Sequence, residues 1–138
     1  MSNVSMEINL PVSADELWEA IGSFGKLSEW HPAVETSELE AGGKRRRLSL
    51  VGGGEIVEEL KVLDPDAHLY SYSILSSPLP VANYVSTIQI TPTDDGKCTV
   101  QWSSEFDAEG VPENDAVKAI TGIYEAGFES LKKMFGAR

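Results

Sequence analysis

The sequence predicts an α+β fold in which a curved antiparallel sheet of seven strands wraps around a long C-terminal helix, with two short helices after the first strand. The middle of the chain is a series of strand-like segments separated by turn signals rich in Gly, Pro and Asp. The last quarter carries apolar residues at helical spacing. Such one-sided elements must bury their apolar faces against each other. At 138 residues the chain fits one domain, expected over 1–138.

The first quarter of the chain predicts one strand and two short helices. Residues 3–10 alternate apolar and polar side chains, which is the pattern of a half-buried strand. Ser13 and Glu16 have the spacing of a capping box and predict that a helix begins after Ser13. A second helix is expected over 26–29, because the backbone before Pro32 favours an extended exit.

The central part reads as a meander of six strands with short connections. Short connections imply antiparallel pairing, because parallel neighbours need long crossovers. The predicted strands are 34–41, 44–51, 55–63, 67–75, 82–91 and 97–106.

The final helix is predicted to begin at Pro112, where a missing amide proton costs nothing. Its apolar residues recur every three or four positions and form one stripe that should face the sheet. The stripe consists of Val117, Ile120, Tyr124, Gly127, Leu131 and Met134.

Composition excludes several classes of function. The chain has 22 acidic and 11 basic residues and a formal net charge of −11, which repels phosphate backbones, so no nucleic acid is expected as a partner. The basic run 44–47 lies in a strand, where consecutive side chains point to opposite faces. No stretch is long and apolar enough for a membrane span. The first residues lack the features of a secretory signal, and Cys98 is the only cysteine, so we expect a cytoplasmic protein. The expected assembly is a monomer or weak homodimer.

A ligand pocket follows from the predicted architecture. A strongly curved sheet does not press flat against a straight helix, so side chains must fill the gap or leave a cavity. Alternation along the strands gives the side chains expected to face this gap. They include Arg46, Leu48, Leu50, Ile56, Glu58, Leu60, Val62, Tyr70, Tyr72, Ile74, Tyr84, Ser86, Val100, Trp102 and Phe106.

Glu58 is the principal candidate for chemistry, because alternation places its carboxylate among aliphatic side chains. Burial there should raise its pKa, as a general acid or base requires. Arg46 has the same inward parity, so the alternative is a structural Glu58–Arg46 ion pair or an exposed strand face.

Other candidates also have two interpretations. Tyr72 and Tyr84 either donate hydrogen bonds to a carbonyl or enolate or are core aromatics with the hydroxyl at the rim. Trp30 and His31 either lie at the rim of the pocket or are a packing tryptophan beside a solvated histidine. Gly127 either leaves space for a ligand or permits close approach of helix and sheet.

No metal or cofactor is expected. The two histidines, His31 and His68, are far apart and belong to no metal-binding motif. The glycines at 52–54 lack the lysine and Ser/Thr of a phosphate loop and predict a hairpin turn.

The order of elements resembles the helix-grip fold of the START-like and birch-pollen-allergen-like superfamily. The segment LPVSADELWEAIGSFGKLSEWHPAV is similar to the opening of its bacterial polyketide cyclase/dehydrase-like branch. Three further segments are similar to the central strands of that branch, namely EELKVLDPDAHLYSYSI, LPVANYVSTIQITP and VQWSSEFDAEG. The resemblance covers nearly the whole chain and implies a START-like ligand-binding domain, although one such scaffold hosts binders, transfer proteins and enzymes.

The resemblance also implies roles for particular residues. The segment 76–80 is similar to the gate loop of the plant abscisic-acid receptors, and Glu58 occupies the place of a pocket glutamate there. The ligand-pairing lysine of those receptors has no secure counterpart, so a shared pocket is implied but hormone recognition is not. The residues predicted to form the ligand site are Arg46, Glu58, Trp30, Tyr72, Leu79, Pro80, Tyr84, Trp102, Tyr124 and Gly127.

The leading hypothesis is a protein that binds or carries an apolar small molecule, such as a lipid, a polyketide or an aromatic metabolite. One alternative is a cyclase, dehydratase or aldolase-like enzyme that uses Glu58 as acid or base together with a tyrosine or Arg46. Another is a protein-interaction module that recruits its partner through the loop 77–80 and the acidic surface.

Overall fold

The computed structural model describes residues 1–136 and confirms the predicted architecture. Within these residues, seven strands, two α-helices and several short helical turns follow one another. In order they are β1 (Ser2–Leu10), α1 (Ala14–Ile21), a 3₁₀ helix (Phe24–Glu29), β2 (Val34–Glu40), a 3₁₀ turn (Ala41–Gly43), β3 (Arg45–Leu50), β4 (Glu55–Asp64), β5 (Leu69–Ser76), β6 (Val81–Pro92), β7 (Cys98–Ala108), α2 (Glu113–Leu131) and a π-helical turn (Lys132–Gly136).

The strands form one antiparallel sheet in the order β1-β7-β6-β5-β4-β3-β2. From β2 to β7 each strand pairs with its neighbour in sequence, as the short turns require. β1 pairs with β7, so the two ends of the chain meet at one side of the sheet, and α2 packs against both of these strands. None of the helices within residues 1–136 combines the length and the apolar character needed to cross a membrane.

The short helices have the predicted positions. The hydroxyl of Ser13 accepts a hydrogen bond from the N–H of Glu16 at 3.1 Å, which caps α1. The second helix is a 3₁₀ helix that begins at Phe24, two residues before the predicted start. It is followed by Trp30, whose N–H donates to the Leu27 carbonyl, and it covers the edge of the sheet next to β2.

Two predicted inward positions are wrong, each because of a local irregularity. Leu60 pairs with Tyr72 and Val62 with Ser71, so a β-bulge breaks the alternation of β4, and Val62 is 49% exposed. At the end of α2 the chain takes a wider π-helical turn. This turn buries Phe135 and leaves Met134 exposed.

Candidate functional site

An interior cavity of about 210 Å³ lies between the sheet and α2. It is closed at one end by the buried side chains of the strands and opens near the exposed Ala33, Val51 and Gly53. Its lining is largely aliphatic and aromatic. The lining residues are Leu27, His31, Ala33, Val34, Leu48, Leu50, Val51, Gly53, Ile56, Glu58, Tyr72, Ile74, Leu79, Tyr84, Trp102 and Ile123.

Four larger depressions, of about 310 to 680 Å³, lie elsewhere at the surface. One of about 560 Å³ lies beside the β6–β7 turn and includes Thr93, Asp94 and Lys97. Another, of about 680 Å³, lies between the first helices and the β2–β4 region. An interior cavity removes far more of a ligand's apolar surface from water than an open groove does, so the interior cavity is the candidate site.

Glu58, a polar residue of the cavity lining, forms an ion pair with Arg46 on the adjacent strand. Arg46 and Glu58 are direct partners in the β3–β4 register, and their side chains are 1% and 6% exposed. The Nε of Arg46 donates to Oε1 of Glu58 at 2.7 Å, and one Nη of Arg46 lies 2.7 Å from the same oxygen. The other Nη donates to the carbonyl of Phe24 at 3.0 Å.

Aromatic rings complete the surroundings of Arg46. Its guanidinium carbon lies 4.2 Å from the centroid of the Phe24 ring and 4.8 Å from that of Tyr72. Burial opposes the charge of Arg46, but Glu58, Tyr70 and Tyr72 together raise the pKa of Arg46 further above its already high ordinary value. Arg46 is therefore a permanent buried cation, held by one carboxylate and by aromatic faces.

The carboxylate of Glu58 has one oxygen that is not used by the protein. Burial raises the pKa of Glu58, and the adjacent Arg46 offsets this only in part. Both contacts with Arg46 are made by Oε1. Within residues 1–136 Oε2 accepts no hydrogen bond, and Glu58 lines the cavity. Oε2 is therefore available to accept a hydrogen bond from a ligand or to act as a proton acceptor.

A chain of hydroxyl groups runs from Tyr84, which lines the cavity, through Tyr124 to Ser86 in the core, and its proton directions can be assigned. The Ser86 hydroxyl donates to the carbonyl of Ser103, which cannot donate in return, at 3.0 Å. Ser86 must then accept the hydrogen bond of 2.8 Å that joins it to Tyr124. With its only proton used in this way, Tyr124 accepts from Tyr84 at 2.7 Å. The proton of Tyr84 is therefore not available to a ligand.

Tyr72 differs from Tyr84 in this respect. Its hydroxyl oxygen accepts from Nε1 of Trp102 at 3.1 Å, an indole N–H that is shared with Ser86. The Tyr72 hydroxyl donates no hydrogen bond to any of the described residues. Burial and the nearby Glu58 raise the pKa of Tyr72 well above its ordinary value, so the hydroxyl keeps its proton. Tyr72 lines the cavity with one hydrogen-bond donor to offer.

His31 lines the cavity but is fully bonded within the protein. Its Nε2 lies 2.8 Å from the carbonyl of Ile123, and its Nδ1 accepts from the N–H of Ala33 at 3.2 Å, which fixes the neutral Nε2–H tautomer. Burial lowers the pKa of His31, and Arg46 contributes to the lowering. The interpretation of His31 as a solvated residue was wrong, because the residue is 2% exposed.

Half of the residues predicted to form the site line the cavity, and the others lie around it. Gly127 permits close packing, since a Cβ there would lie 2.9 Å from the Trp102 ring and 3.1 Å from the Trp30 ring. Tyr124 stacks on Trp102 with ring centroids 4.2 Å apart. Those that line the cavity are Glu58, Tyr72, Leu79, Tyr84 and Trp102, and those that do not are Arg46, Trp30, Pro80, Tyr124 and Gly127.

Several lining residues were absent from the predicted site. Ile56 and Ile74 share the inward parity of Glu58 and Tyr72, so alternation was a usable signal for them. Ile123 lies beside the predicted apolar stripe of α2, and His31 lies in a turn, so no periodic pattern points to either. Within residues 1–136 no group of three or more His, Cys, Asp or Glu side chains is placed to hold a metal ion.

Known families and structures resemble this chain over nearly its whole length. A family described as "Polyketide cyclase / dehydrase and lipid transport" matches residues 1–136. Protein XoxI from Bacillus cereus, whose structure has been solved, shares 34% sequence identity with this chain. The two structures have a TM-score of 0.95 over 98% of this chain and 96% of that one. An uncharacterised protein from Bacillus thuringiensis is 33% identical, with a TM-score of 0.93 over 96% of this chain and 98% of that one.

A START superfamily protein from Mycobacterium smegmatis shares the fold at lower identity. Its TM-score is 0.80 at 14% identity, over 98% of this chain and 97% of that one. The seven-stranded sheet, the two short early helices and the C-terminal helix are thus those of a START-like, helix-grip protein. The chain belongs to the polyketide cyclase / dehydrase and lipid transport family.

Proposed function

We propose that the chain 1–138 acts as a START-like domain that binds or carries a small apolar molecule in the cavity between the sheet and α2. The observation that carries the proposal is an interior cavity of about 210 Å³ with a largely apolar lining and a buried carboxylate that faces it. Apolar walls with a few polar groups at fixed positions are typical of small-molecule sites.

The volume limits the size of the ligand. A cavity of about 150 Å³ holds benzene, and pockets for drug-sized ligands begin at about 300 Å³. The 210 Å³ here therefore suit a molecule of about ten non-hydrogen atoms, such as a monocyclic aromatic compound. A full-length acyl chain exceeds this space, so the proposal is narrower than lipid carriage in general.

The test is a binding screen with small apolar compounds and longer lipids. Isothermal calorimetry and thermal shift should detect binding of compounds such as propylbenzene, with weaker or no binding of palmitate. A protein that binds no compound of either size range contradicts the proposal.

A matched pair of variants on α2 locates the binding. Ile123 lines the cavity, so Ile123→Trp should fill it and abolish binding. Val117 is also partly buried on α2 and packs on the core, but it does not line the cavity. Val117→Trp should therefore retain binding. Equal loss in both variants contradicts the assignment of the ligand to this cavity.

A further inference from the structure

We propose that the cavity selects a neutral ligand with a hydroxyl group, an aromatic or alicyclic alcohol, whose oxygen accepts a hydrogen bond from Tyr72 and donates one to Glu58. The inference rests on the proposed function and adds the chemical class of the ligand. It follows from an account of which protons and lone pairs in the cavity wall the protein leaves unused.

The unused groups are one donor and one acceptor on the same face of adjacent strands. The proton of Tyr72 and Oε2 of Glu58 have no partner within the described chain. Glu58 pairs with Ile74 and Leu60 with Tyr72, so Glu58 and Tyr72 are diagonal neighbours in the β4–β5 pairing. A hydroxyl group is both donor and acceptor, so it can satisfy both groups at once.

An anionic ligand is disfavoured by the direction of the Arg46 hydrogen bonds. The guanidinium donates to Glu58, to the carbonyl of Phe24 and to Tyr70, and Arg46 does not line the cavity. A ligand carboxylate would meet the carboxylate of Glu58 with only the Tyr72 hydroxyl as compensation. Burying a charge without an adequate partner is costly, so carboxylates should bind weakly.

A cationic ligand is disfavoured by competition for the same carboxylate. Glu58 is the one carboxylate that contacts Arg46 among the described residues. An ammonium group bound to Glu58 would place a second positive charge beside Arg46, which is 1% exposed and cannot turn to water. The ion pair is neutral as a whole, and a neutral ligand keeps it so.

The experiment uses four probes that differ only at one end. They are 2-phenylethanol, propylbenzene, phenylacetate and 2-phenylethylammonium, whose dissociation constants are measured by calorimetry at pH 7. Phenylacetate and the ammonium compound should bind at least tenfold more weakly than 2-phenylethanol. Each would give up the water that solvates its charge without gaining an adequate partner in the cavity.

Two tyrosine variants test the hydroxyl contact directly. In Tyr72→Phe the ratio of the dissociation constant of 2-phenylethanol to that of propylbenzene should rise about five- to tenfold, since one hydrogen bond is lost. In Tyr84→Phe, which lines the same cavity but has no proton to offer, this ratio should stay constant. Retained binding of propylbenzene is the control that the cavity is intact in both variants.

The outcomes separate this inference from the proposed function. The selectivity is contradicted, while the cavity still binds ligands, if propylbenzene binds and phenylacetate has the same dissociation constant as 2-phenylethanol. The same holds if propylbenzene binds and Tyr72→Phe leaves the ratio of dissociation constants unchanged. If none of the four probes and none of the longer lipids binds, both proposals fail together.

Discussion

The space between the sheet and α2 is closely packed in one region and contains a cavity in another. Where Tyr124 and Gly127 of α2 meet β7 it is closely packed, with Trp102 stacked on Tyr124 and Gly127 brought against the rings of Trp102 and Trp30. Around β3, β4 and β5 it contains a cavity of about 210 Å³ that the side chain of Ile123 borders. The same helix and the same sheet enclose both regions.

The two regions also differ in where their unused polar groups point. In the packed region the protons of Ser86, Tyr124 and Tyr84 are all donated within the protein, and the indole N–H of Trp30, which has no partner among the described residues, does not border the cavity. In the open region the proton of Tyr72 and one oxygen of Glu58 have no partner among the described residues and border the cavity. Buried polar groups are normally bonded, so unused groups that border a void indicate that a ligand completes them.

The largest expected effect concerns the ion pair at the open region. Arg46→Ala should lower the free energy of unfolding by about 3–5 kcal/mol, because it leaves the carboxylate of Glu58 buried without its partner. The double variant Arg46→Met/Glu58→Met should lose much less, since both charges are removed together. Urea denaturation measures both values. A single variant as stable as the double variant would show that the pair is not buried as described.

A pair of glycine variants tests the packed region. A Cβ at Gly127 would lie 2.9 Å from Trp102 and 3.0 Å from His31, whereas a Cβ at Gly122 on the same helix would meet nothing within 4 Å. Gly127→Ala should therefore cost about 1–2 kcal/mol, because overpacking exceeds the gain in helix propensity. Gly122→Ala should gain about 1 kcal/mol from that propensity alone. Thermal unfolding compares them, and stabilisation by both would mean that the packed region has spare room.

The smallest expected effect is a pH dependence that originates at His31. Burial lowers the pKa of His31 in the folded chain below its ordinary value of 6.5. The unfolded chain therefore takes up the proton first, so the contribution of His31 to stability is complete above pH 6.5 and decreases as the pH falls below it. The loss should be at most about 1 kcal/mol between pH 6.5 and 5.5, since the unfolded chain alone takes up the proton in the limiting case.

The variant His31→Gln isolates this contribution. Burial raises the pKa of Glu58, so its contribution to stability is present at low pH and is lost as the pH rises, opposite to that of His31. Both proteins contain Glu58, so its effect cancels in the difference between them. The difference between the wild type and His31→Gln in urea denaturation should decrease toward acid pH. A difference that is constant from pH 7 to 5.5 would show that His31 is not held neutral by burial.

The sequence was sufficient for the parts of the structure that depend on periodicity. Alternation placed Arg46 and Glu58 on one face, and the β3–β4 register makes them partners at 2.7 Å. Alternation failed after the β-bulge that exposes Val62, because one extra residue shifts every later side chain. The π-helical turn that exposes Met134 has the same effect on the helix.

The position of the cavity was not predictable in this way. It depends on how closely two elements approach each other, which is a property of tertiary packing. Gly127 had two interpretations from sequence, and only the distances to Trp102, His31 and Trp30 decide for close packing. The assignment of free and used protons likewise needs the actual hydrogen-bond partners of Tyr72 and Tyr84.

Methyl NMR with propylbenzene tests the difference between the two regions most directly. On titration, the isoleucine methyl signals of the open region should shift, those of Ile56, Ile74 and Ile123. The signals of Ile88, Ile90 and Ile120, which are buried in the core away from the cavity, should remain in place. Shifts confined to the second set, or no shifts in either, would contradict a ligand cavity between β3, β4, β5 and α2.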